Sequence, residues 1–148
     1  MKIVKGAPMD PFRHRVQYYE TDMMGIAHHA NYIRWMEEAR VDFMDRIGFP
    51  YARMESRGVF SPVRSLRCDY RRPCTFGDDI DIAVSVESFN GVVAELRYRM
   101  TNAAKGETVC EAVSEHCFLD REGRFVRLKR EMPDFCARMA ELCSGNEP

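Results

Sequence analysis

The sequence predicts an α+β fold in which one long helix is wrapped by a curved antiparallel sheet of about five strands. Two patterns carry this prediction: an apolar stripe at helical spacing after residue 31, and a series of alternating apolar and polar segments after residue 63. Because a single helix cannot cover both faces of a sheet, the simplest arrangement curves the sheet around the helix. The 148 residues contain no linker or repeat, so we expect a single domain over residues 1–148.

The chain begins with a predicted half-buried strand and continues into the long helix. Apolar and polar side chains alternate from Phe12 to Tyr18, which is typical of a strand with one buried face. The helix is expected to have Asn31 as its N-cap and to end at Gly48. Its apolar stripe consists of Tyr32, Trp35, Met36, Ala39, Phe43, Met44 and Ile47.

After the helix the pattern changes to strands separated by turns. Asn90-Gly91 indicates a type I′ hairpin turn. Residues 108–119 carry apolar side chains on both faces, so we place this strand in the interior of the sheet. The hairpin strands are expected to continue the sheet into a second copy of the chain. Strands are predicted at residues 63–70, 80–86, 92–100, 108–119 and 124–128, before a short C-terminal helix that opens at Pro133.

The overall composition excludes several functional classes. The net charge is -1 and the sequence pI is about 6.4, so no basic field is available to hold nucleic acid or an anionic membrane. No segment approaches the roughly 20 apolar residues of a membrane-spanning helix. The first residues lack the apolar core of a signal peptide. We therefore expect a cytoplasmic protein with no nucleic-acid or membrane partner.

The cysteines and two of the histidines are predicted to be structural. The six cysteines include no CxxC pair, which favours reduced, packed thiols over disulfides or a zinc site. His116 and Cys117 are neighbours in a predicted strand, so they point to opposite faces and cannot easily share a metal. His14 and His116 both lie within predicted strands. We expect no metal in this protein.

The segment between the first strand and the long helix is the most informative part of the chain. A turn containing Asp22 and Gly25 leads into the helix, and His28 and His29 lie at the junction. An acid and an imidazole are therefore placed beside the positive end of a helix, which suits a reaction that builds negative charge on an oxygen. Alternatively, Asp22 caps the turn, as an aspartate before a glycine often does.

This segment resembles the signature of the hotdog-fold acyl-CoA thioesterases, in particular the 4-hydroxybenzoyl-CoA thioesterase group and its tol-pal-associated relatives. The resemblance implies a hotdog fold and hydrolysis of an acyl-CoA thioester to the free acid and CoA. It implies no cofactor, because coenzyme A is part of the substrate. The family pattern is matched at fixed spacing by Tyr18, Glu20, Thr21, Asp22, Gly25, His29, Asn31 and Tyr32, and more weakly by Ser61, Pro62, Val63, Tyr70, Pro73, Gly77 and Asp78.

The resemblance implies that Asp22 is the catalytic carboxylate. An ionised aspartate can attack a thioester carbonyl or deprotonate a water that does so, and both roles remain open. His29 is interpreted as a second catalytic residue that positions the substrate, with a neutral imidazole because a helix N-terminus disfavours added positive charge. Gly25 and His28 are expected to contact substrate, and Tyr32 is the best candidate for the acyl pocket.

Backbone amides at the helix start, at His29 or its neighbours, are expected to polarise the thioester oxygen. The resemblance places a second donor in the loop containing Phe60 and Ser61, contributed by another subunit, although some relatives have glycine where Phe60 stands. Arg71 and Arg72 are candidates for the CoA phosphates. Because the face of the sheet away from the helix would be half apolar or available for self-association, we expect at least a dimer, as a homodimer or homotetramer.

Two other functions remain as alternatives. A hotdog hydratase or dehydratase would act on an acyl thioester through a histidine paired with an acid, and the Thr21-Asp22-x-x-Gly25 spacing argues against it. A non-catalytic acyl-thioester binding module would not need both Asp22 and His29. The acyl group is left open, as is the choice between CoA and an acyl carrier protein.

Overall fold

The computed structural model describes residues 9–145 and contains a five-stranded antiparallel sheet with a long helix packed against it. The predicted fold class is confirmed. The strands are β1 (Phe12–Arg15), β2 (Val63–Tyr70), β3 (Asp79–Phe89), β4 (Val93–Asn102) and β5 (Thr108–Cys117), in the spatial order β1-β3-β4-β5-β2. The helices are α1 (His29–Arg46), α2 (Tyr51–Ser56), α3 (Leu128–Glu131) and α4 (Pro133–Gly145), and a 3₁₀ turn at Tyr18–Glu20 precedes α1. Within residues 9–145, no helix is long and apolar enough to cross a membrane.

Helix α1 supplies the core with the stripe that the sequence predicts. All seven stripe residues, from Tyr32 to Ile47, are buried, and Trp35 is fully enclosed. They face the inner side of the sheet, where Ile82 of β3 and Tyr98 of β4 are also fully buried. Full burial of each large apolar side chain contributes roughly 1.5–3 kcal/mol, so this stripe fixes where the helix lies. The first turn of α1 is held in place as a consequence.

The start of the chain departs from the predicted strand. Strand β1 ends at Arg15 rather than continuing to Tyr18. The Gln17 amide donates to the Glu20 carboxylate at 2.8 Å, and the Glu20 amide donates to the Gln17 carbonyl at 3.0 Å. These bonds turn the chain into the 3₁₀ turn, which leaves Tyr18 exposed.

The N-cap of α1 is His28, not Asn31. The Nδ1 atom of His28 accepts a hydrogen bond from the Ala30 amide at 3.2 Å, so an imidazole does what an asparagine side chain was expected to do. Asn31 lies within the first turn, and its side-chain amide donates to the Glu20 carbonyl at 2.8 Å. Asn31 thus ties the helix to the preceding turn instead of capping it.

The β3–β4 hairpin is present, but its turn is not type I′. A type I′ turn needs positive φ at both central residues. Here Gly91 has φ +88°, and among the described residues only glycines have positive φ. The Asn90 side chain accepts hydrogen bonds from the amides of Val92 and Val93 at 2.9 and 2.7 Å. A side-chain-stabilised turn therefore connects the strands.

Two segments between the predicted strands also differ. Residues 124–128 do not form a strand: Phe125 makes an isolated bridge to Leu119, and the chain then enters α3 at Leu128. Helix α2 was not predicted, because a six-residue helix is too short to display helical periodicity.

The edges of the sheet are β1 and β2. The hairpin strands β3 and β4 are interior in this order, but β1 pairs only with residues 79–82 of β3, so continuation of the sheet through the hairpin into a second copy stays a prediction. Strand β5 is interior, as predicted, and pairs with β4 and β2. Strand β2 is the long edge, and Val63, Leu66 and Tyr70 on it are 48%, 37% and 45% exposed.

Candidate active site

A buried carboxylate fixes the junction between the 3₁₀ turn and α1. The Glu20 carboxylate accepts hydrogen bonds from Trp35 Nε1 at 2.6 Å, from the Gln17 amide at 2.8 Å and shares one with His14 Nε2 at 2.8 Å. Burial by itself raises the pKa of Glu20, but the hydrogen bonds from Trp35, Gln17 and His14 together hold that pKa below its ordinary value. Glu20 is therefore an ionised anchor whose acceptor oxygens are already occupied.

Asp22 follows two residues later in a very different setting. The turn is closed by a bridge between Thr21 and Ala27 and by a hydrogen bond from the Asp22 amide to the Ile26 carbonyl at 2.9 Å. Asp22 Oδ1 accepts a hydrogen bond from the Met24 amide at 2.9 Å. Its second oxygen, Oδ2, makes no hydrogen bond to any described residue. The expected capping role is thus real, and it leaves one carboxylate oxygen free for chemistry.

Gly25 serves this turn through its backbone. Its φ is +77°, a conformation that side chains disfavour, and a Cβ at this position would meet nothing within 4 Å. Gly25 is not among the residues that line the cavity described below. Gly25 therefore supports the Asp22 turn through its backbone conformation and does not line the cavity as a substrate contact.

The first turn of α1 leaves one amide unused. The Ala30 amide donates to His28 Nδ1, and the Asn31 amide donates to the His28 carbonyl at 3.0 Å. The His29 amide makes no hydrogen bond to any part of the chain that the structure describes. This free N–H lies at the positive end of the helix dipole. The His29 carbonyl accepts a hydrogen bond from Tyr70 Oη at 3.0 Å, which ties the helix start to β2.

Asp22 and His29 share a cavity of about 350 Å³ between the turn, the start of α1 and the end of β2. His28 is exposed beside it, with its ring 4.3 Å from that of His29. Of the nine predicted site residues, the cavity therefore brings together five and excludes Gly25, His28, Phe60 and Ser61. Its walls are formed by Asp22, Met24, Ile26, Ala27, His29, Tyr32, Tyr70, Arg71, Arg72 and Pro73.

The inner wall of this cavity is aromatic. Tyr32 is buried, and its ring meets that of Tyr70 edge to face at 5.0 Å. The Tyr32 hydroxyl and Cys74 Sγ are 3.2 Å apart. Burial, with a further contribution from Cys74, raises the pKa of Tyr32 far above its ordinary value, so this hydroxyl stays protonated. Tyr32 is part of the core and of the cavity wall at the same time.

The rim of the cavity carries positive charge. Arg71 and Arg72 are exposed where β2 ends, and their amides donate to the Val109 carbonyl at 2.9 and 3.3 Å. The Arg71 guanidinium pairs with Glu111 at 3.3 Å. Arg72 has no ion pair within residues 9–145. These guanidiniums are placed to meet an anionic group outside the cavity.

Phe60 and Ser61 lie at the opposite end of β2. Strand β2 has eight residues, so its ends are roughly 25 Å apart at about 3.3 Å per residue. Phe60 exchanges two backbone hydrogen bonds with Leu119, each 2.8 Å, and both Phe60 and Ser61 are half-buried. A single chain therefore does not bring Phe60 or Ser61 to Asp22.

Sequence reasoning missed the role of Tyr70 in this cavity, along with the contributions of Met24, Ile26 and Pro73. Tyr70 was noticed only as a weak match in the strand pattern. Its position at the last residue of a strand, on the same face as Leu66 and Cys68, was the signal available. No sequence signal linked it to the His29 carbonyl 41 residues away.

The two predicted structural histidines both lie in polar clusters. His14 bridges Glu20 and Glu38, with nitrogen–oxygen distances of 2.8 and 3.0 Å, and stacks on Trp35. His116 is buried, and its Nε2 lies 2.7 Å from Ser114 Oγ. Neither ring is among those that line the cavity with Asp22.

Comparison with known proteins shows which family this chain belongs to. The sequence model of the thioesterase-like superfamily matches residues 16–139. The chain is 36% identical over 121 residues to the protein named "Putative acyl-CoA thioesterase YneP" of Bacillus subtilis, which covers 81% of this chain and 87% of that protein.

Solved structures give the same result. A DHNA-CoA thioesterase from Staphylococcus aureus superposes with a TM-score of 0.84 at 30% identity, covering 88% of this chain and 87% of that one. A hypothetical protein from Thermus thermophilus superposes with a TM-score of 0.81 at 33% identity, covering 90% and 99%. The chain therefore belongs to the thioesterase-like superfamily, and it is a thioester hydrolase with the hotdog fold.

Proposed function

We propose that this protein hydrolyses an acyl-CoA thioester to the free acid and CoA, with Asp22 as the catalytic carboxylate. One observation carries the proposal: the half-buried Asp22 carboxylate, with a free oxygen, shares a cavity with the unpaired His29 amide at the start of α1. A carboxylate and a polarising donor are the two groups that thioester hydrolysis needs.

The reaction follows from these two groups. The thioester oxygen accepts a hydrogen bond from the His29 amide, where the helix dipole stabilises the negative charge that develops on it. Asp22 then either deprotonates a water that attacks the carbonyl carbon or attacks that carbon itself. In the general-base route the carbon–sulfur bond breaks, the CoA thiolate takes up a proton, and the water oxygen ends in the carboxylic acid. In the nucleophilic route the same bond breaks to leave a mixed anhydride between the acyl group and Asp22, and a water then hydrolyses this anhydride at the Asp22 carbonyl, so that its oxygen enters Asp22.

The two ends of the substrate have different surroundings. The acyl group would enter among Tyr32, Tyr70 and Ile26, where the walls are aromatic and aliphatic. The CoA phosphates would lie at the exposed rim near Arg71 and Arg72. Because Glu111 already pairs with Arg71, Arg72 is the freer of the two for a phosphate.

A second copy of the chain would complete this site. If two β2 edges pair antiparallel, the Ser61 end of one strand lies beside the Tyr70 end of the other. The exposed apolar side chains Val63 and Leu66 on this edge support such pairing. Phe60 and Ser61 of one copy would then face the cavity of the other, as a homodimer or as half of a homotetramer.

The acyl group is proposed only as a class. The edge-to-face pair of Tyr32 and Tyr70 suits a flat aromatic acyl group, and this agrees with the resemblance to the 4-hydroxybenzoyl-CoA group. Short branched and medium straight acyl chains belong in the same test. A hydratase or dehydratase would need a histidine paired with an acid. Among the described residues, neither His28 nor His29 has a carboxylate partner, which argues against that alternative.

The test measures free-thiol release over a panel of aromatic, branched and straight-chain acyl-CoAs. Asp22→Asn should lower turnover by about 10³-fold or more, because it removes the base or nucleophile, while the fold and the oligomer persist. Equal rates for wild type and Asp22→Asn would contradict the assigned role. In single-turnover reactions in labelled water, label in Asp22 itself indicates a mixed anhydride, and its absence indicates general-base catalysis.

A mixing experiment tests the divided site. The Asp22→Asn chain keeps its Phe60–Ser61 segment, and a Phe60→Pro chain keeps Asp22 but loses the amide bonded to Leu119. Each alone should be nearly inactive. Co-refolding the two should restore a substantial fraction of wild-type turnover, since half of the sites in a mixed dimer are intact. A mixture as inactive as its components would show that one chain holds the whole site.

A further inference from the structure

A buried chain of hydrogen bonds crosses the core from α1 to β5. Arg40 Nη1 donates to Tyr98 Oη at 3.1 Å, Tyr98 Oη lies 2.7 Å from Ser114 Oγ, and Ser114 Oγ lies 2.7 Å from His116 Nε2. Tyr98, Ser114 and His116 are all buried. None of these side chains lines the cavity with Asp22, so the proposed reaction gives them no role.

Arg40 determines the donor-to-acceptor direction along this series of hydrogen bonds. A guanidinium only donates, so Tyr98 Oη must accept from Arg40 and send its own proton to Ser114 Oγ. Ser114 then donates to His116 Nε2, which must be an acceptor. In this direction only the second ring nitrogen of His116 is left to find a partner, whereas the opposite direction would leave both the Tyr98 proton and the Nδ1 lone pair unpaired, and buried polar groups are normally satisfied. The single proton of a neutral His116 therefore lies on Nδ1.

The Nδ1 atom of His116 is enclosed and has no hydrogen-bond partner within the described residues. Burial and the charge of Arg40 lower the pKa of His116 to about 4, and the Ser61 backbone beside the ring opposes that shift. His116 is paired with Val63 in the β2–β5 register, which brings the Ser61 backbone close to the ring. A backbone group that raises the pKa of an imidazole accepts a hydrogen bond from it, and we therefore infer that the Ser61 carbonyl is the acceptor available to Nδ1–H. The Nδ1–H of His116 and the Ser61 carbonyl are therefore neighbours that do not meet the geometry of a hydrogen bond.

The backbone at Ser61 lies outside the regular hydrogen bonding of the sheet. Phe60 is fixed by its two hydrogen bonds to Leu119, and the ladder with β5 resumes at the pair Val63 and His116. Ser61 and Pro62 lie between these points, outside the ladder. Their backbone is thus anchored at both ends, beside the His116 ring, and has no ladder hydrogen bonds of its own.

We propose that His116 is the positioning residue of the Phe60–Ser61 segment: Arg40, Tyr98 and Ser114 fix the imidazole as its Nδ1–H tautomer, and this N–H holds the Ser61 carbonyl when a second copy seats the segment over its substrate. The inference rests on the proposed function only for its effect on turnover. Its structural content concerns the tautomer of His116 and the order of the segment.

The tautomer is tested first, by ¹⁵N NMR of histidine-labelled wild-type protein at neutral pH. His116 should give the signature of the Nδ1–H tautomer, which is the less common form of free histidine. A signal for Nε2–H, or for rapid exchange between the two forms, would overturn the inference. The measurement needs no substrate, so its result does not depend on the proposed activity.

The Ser114→Ala variant tests the relay. Loss of the donor to Nε2 should lower the population of the Nδ1–H tautomer of His116. It should also speed hydrogen exchange of the Phe60 amide about tenfold. If the segment acts mainly in the transition state, kcat should fall about tenfold with KM changed by less than about twofold. Ser56→Ala, which deletes an exposed hydroxyl that donates to the Arg53 carbonyl at the end of α2, is the control and should change none of these.

If Ser114→Ala does not fold, Tyr98→Phe breaks the same relay one link earlier and should give the same three changes. An unchanged tautomer and unchanged exchange in the folded variant would defeat the inference even in an active enzyme. A wild-type protein that releases no thiol from any acyl-CoA would defeat the proposed function instead. In that case the tautomer and exchange measurements still decide the role of His116.

Discussion

Glu20 and Asp22 are carboxylates two residues apart, and the structure treats them in opposite ways. Glu20 is buried and bonded to His14, Gln17 and Trp35. Asp22 is half-exposed, and a single backbone amide occupies one of its oxygens. A carboxylate whose oxygens are all hydrogen-bonded thus stabilises the fold, whereas a carboxylate with a free oxygen beside a free amide is available for chemistry.

The largest expected effect on stability comes from Glu20→Gln. An amide cannot accept from Trp35, Gln17 and His14 together, so buried donors lose partners and we expect a loss of about 4 kcal/mol. The melting temperature should fall by about 10 °C. Glu38→Gln is the matched control, since Glu38 bonds the other nitrogen of His14 at the surface and should contribute less than about 1 kcal/mol. Similar losses of stability for Glu20→Gln and Glu38→Gln would show that the buried hydrogen bonds of Glu20 contribute no more than a surface contact.

A pH titration examines a third polar site, which is enclosed like Glu20 but uncharged. The pKa of His116 falls from 6.5 to about 4 on folding, because burial and Arg40 disfavour its charge. Between these values the unfolded chain binds a proton that the folded chain does not, so stability must decrease as pH falls from 6.5 to 4. The decrease should approach roughly 3 kcal/mol in urea unfolding. His116→Asn should flatten this part of the curve, and an equally steep curve would contradict the assignment.

The smallest expected effect on stability comes from Gly25→Ala, which acts on the turn of Asp22. At φ +77° a Cβ costs about 1 kcal/mol, and relief of that strain should shift the Asp22 carboxylate and lower kcat/KM. Gly106→Ala is matched, since its φ is +70° and a Cβ there also meets nothing within 4 Å. Gly106→Ala should lose similar stability and keep full activity. Equal kcat/KM for Gly25→Ala and Gly106→Ala would show that the geometry of the Asp22 turn does not affect the reaction.

The sequence predicts those parts of the fold that repeat along the chain. The stripe from Tyr32 to Ile47 locates α1, and alternation locates β2. Asp22 and His29 are close because one turn and one helix start connect them. Local competition explains the failures: Asn31 bonds the Glu20 carbonyl rather than capping the helix, and Asn90 forms its turn with its own side chain.

Contacts between distant parts of the chain are what the sequence conceals. Tyr70 enters the cavity because β2 ends above α1, and nothing in its neighbours signals a bond to the His29 carbonyl. The link from Arg40 to His116 joins a helix to two strands through side chains that look ordinary in sequence. Such contacts depend on the register of β4 against β5, which pairs Tyr98 with Ala112 and Leu96 with Ser114.

The proposed pairing of two β2 edges would have a consequence for how this protein responds to its own abundance. A site divided between two chains exists only in the associated fraction, so mass action sets the specific activity. Dilution below the dissociation constant of the pair would silence the chemistry without unfolding a single chain. Rising expression would raise activity more steeply than in proportion to the amount of protein. The strand edge would then work as a concentration threshold.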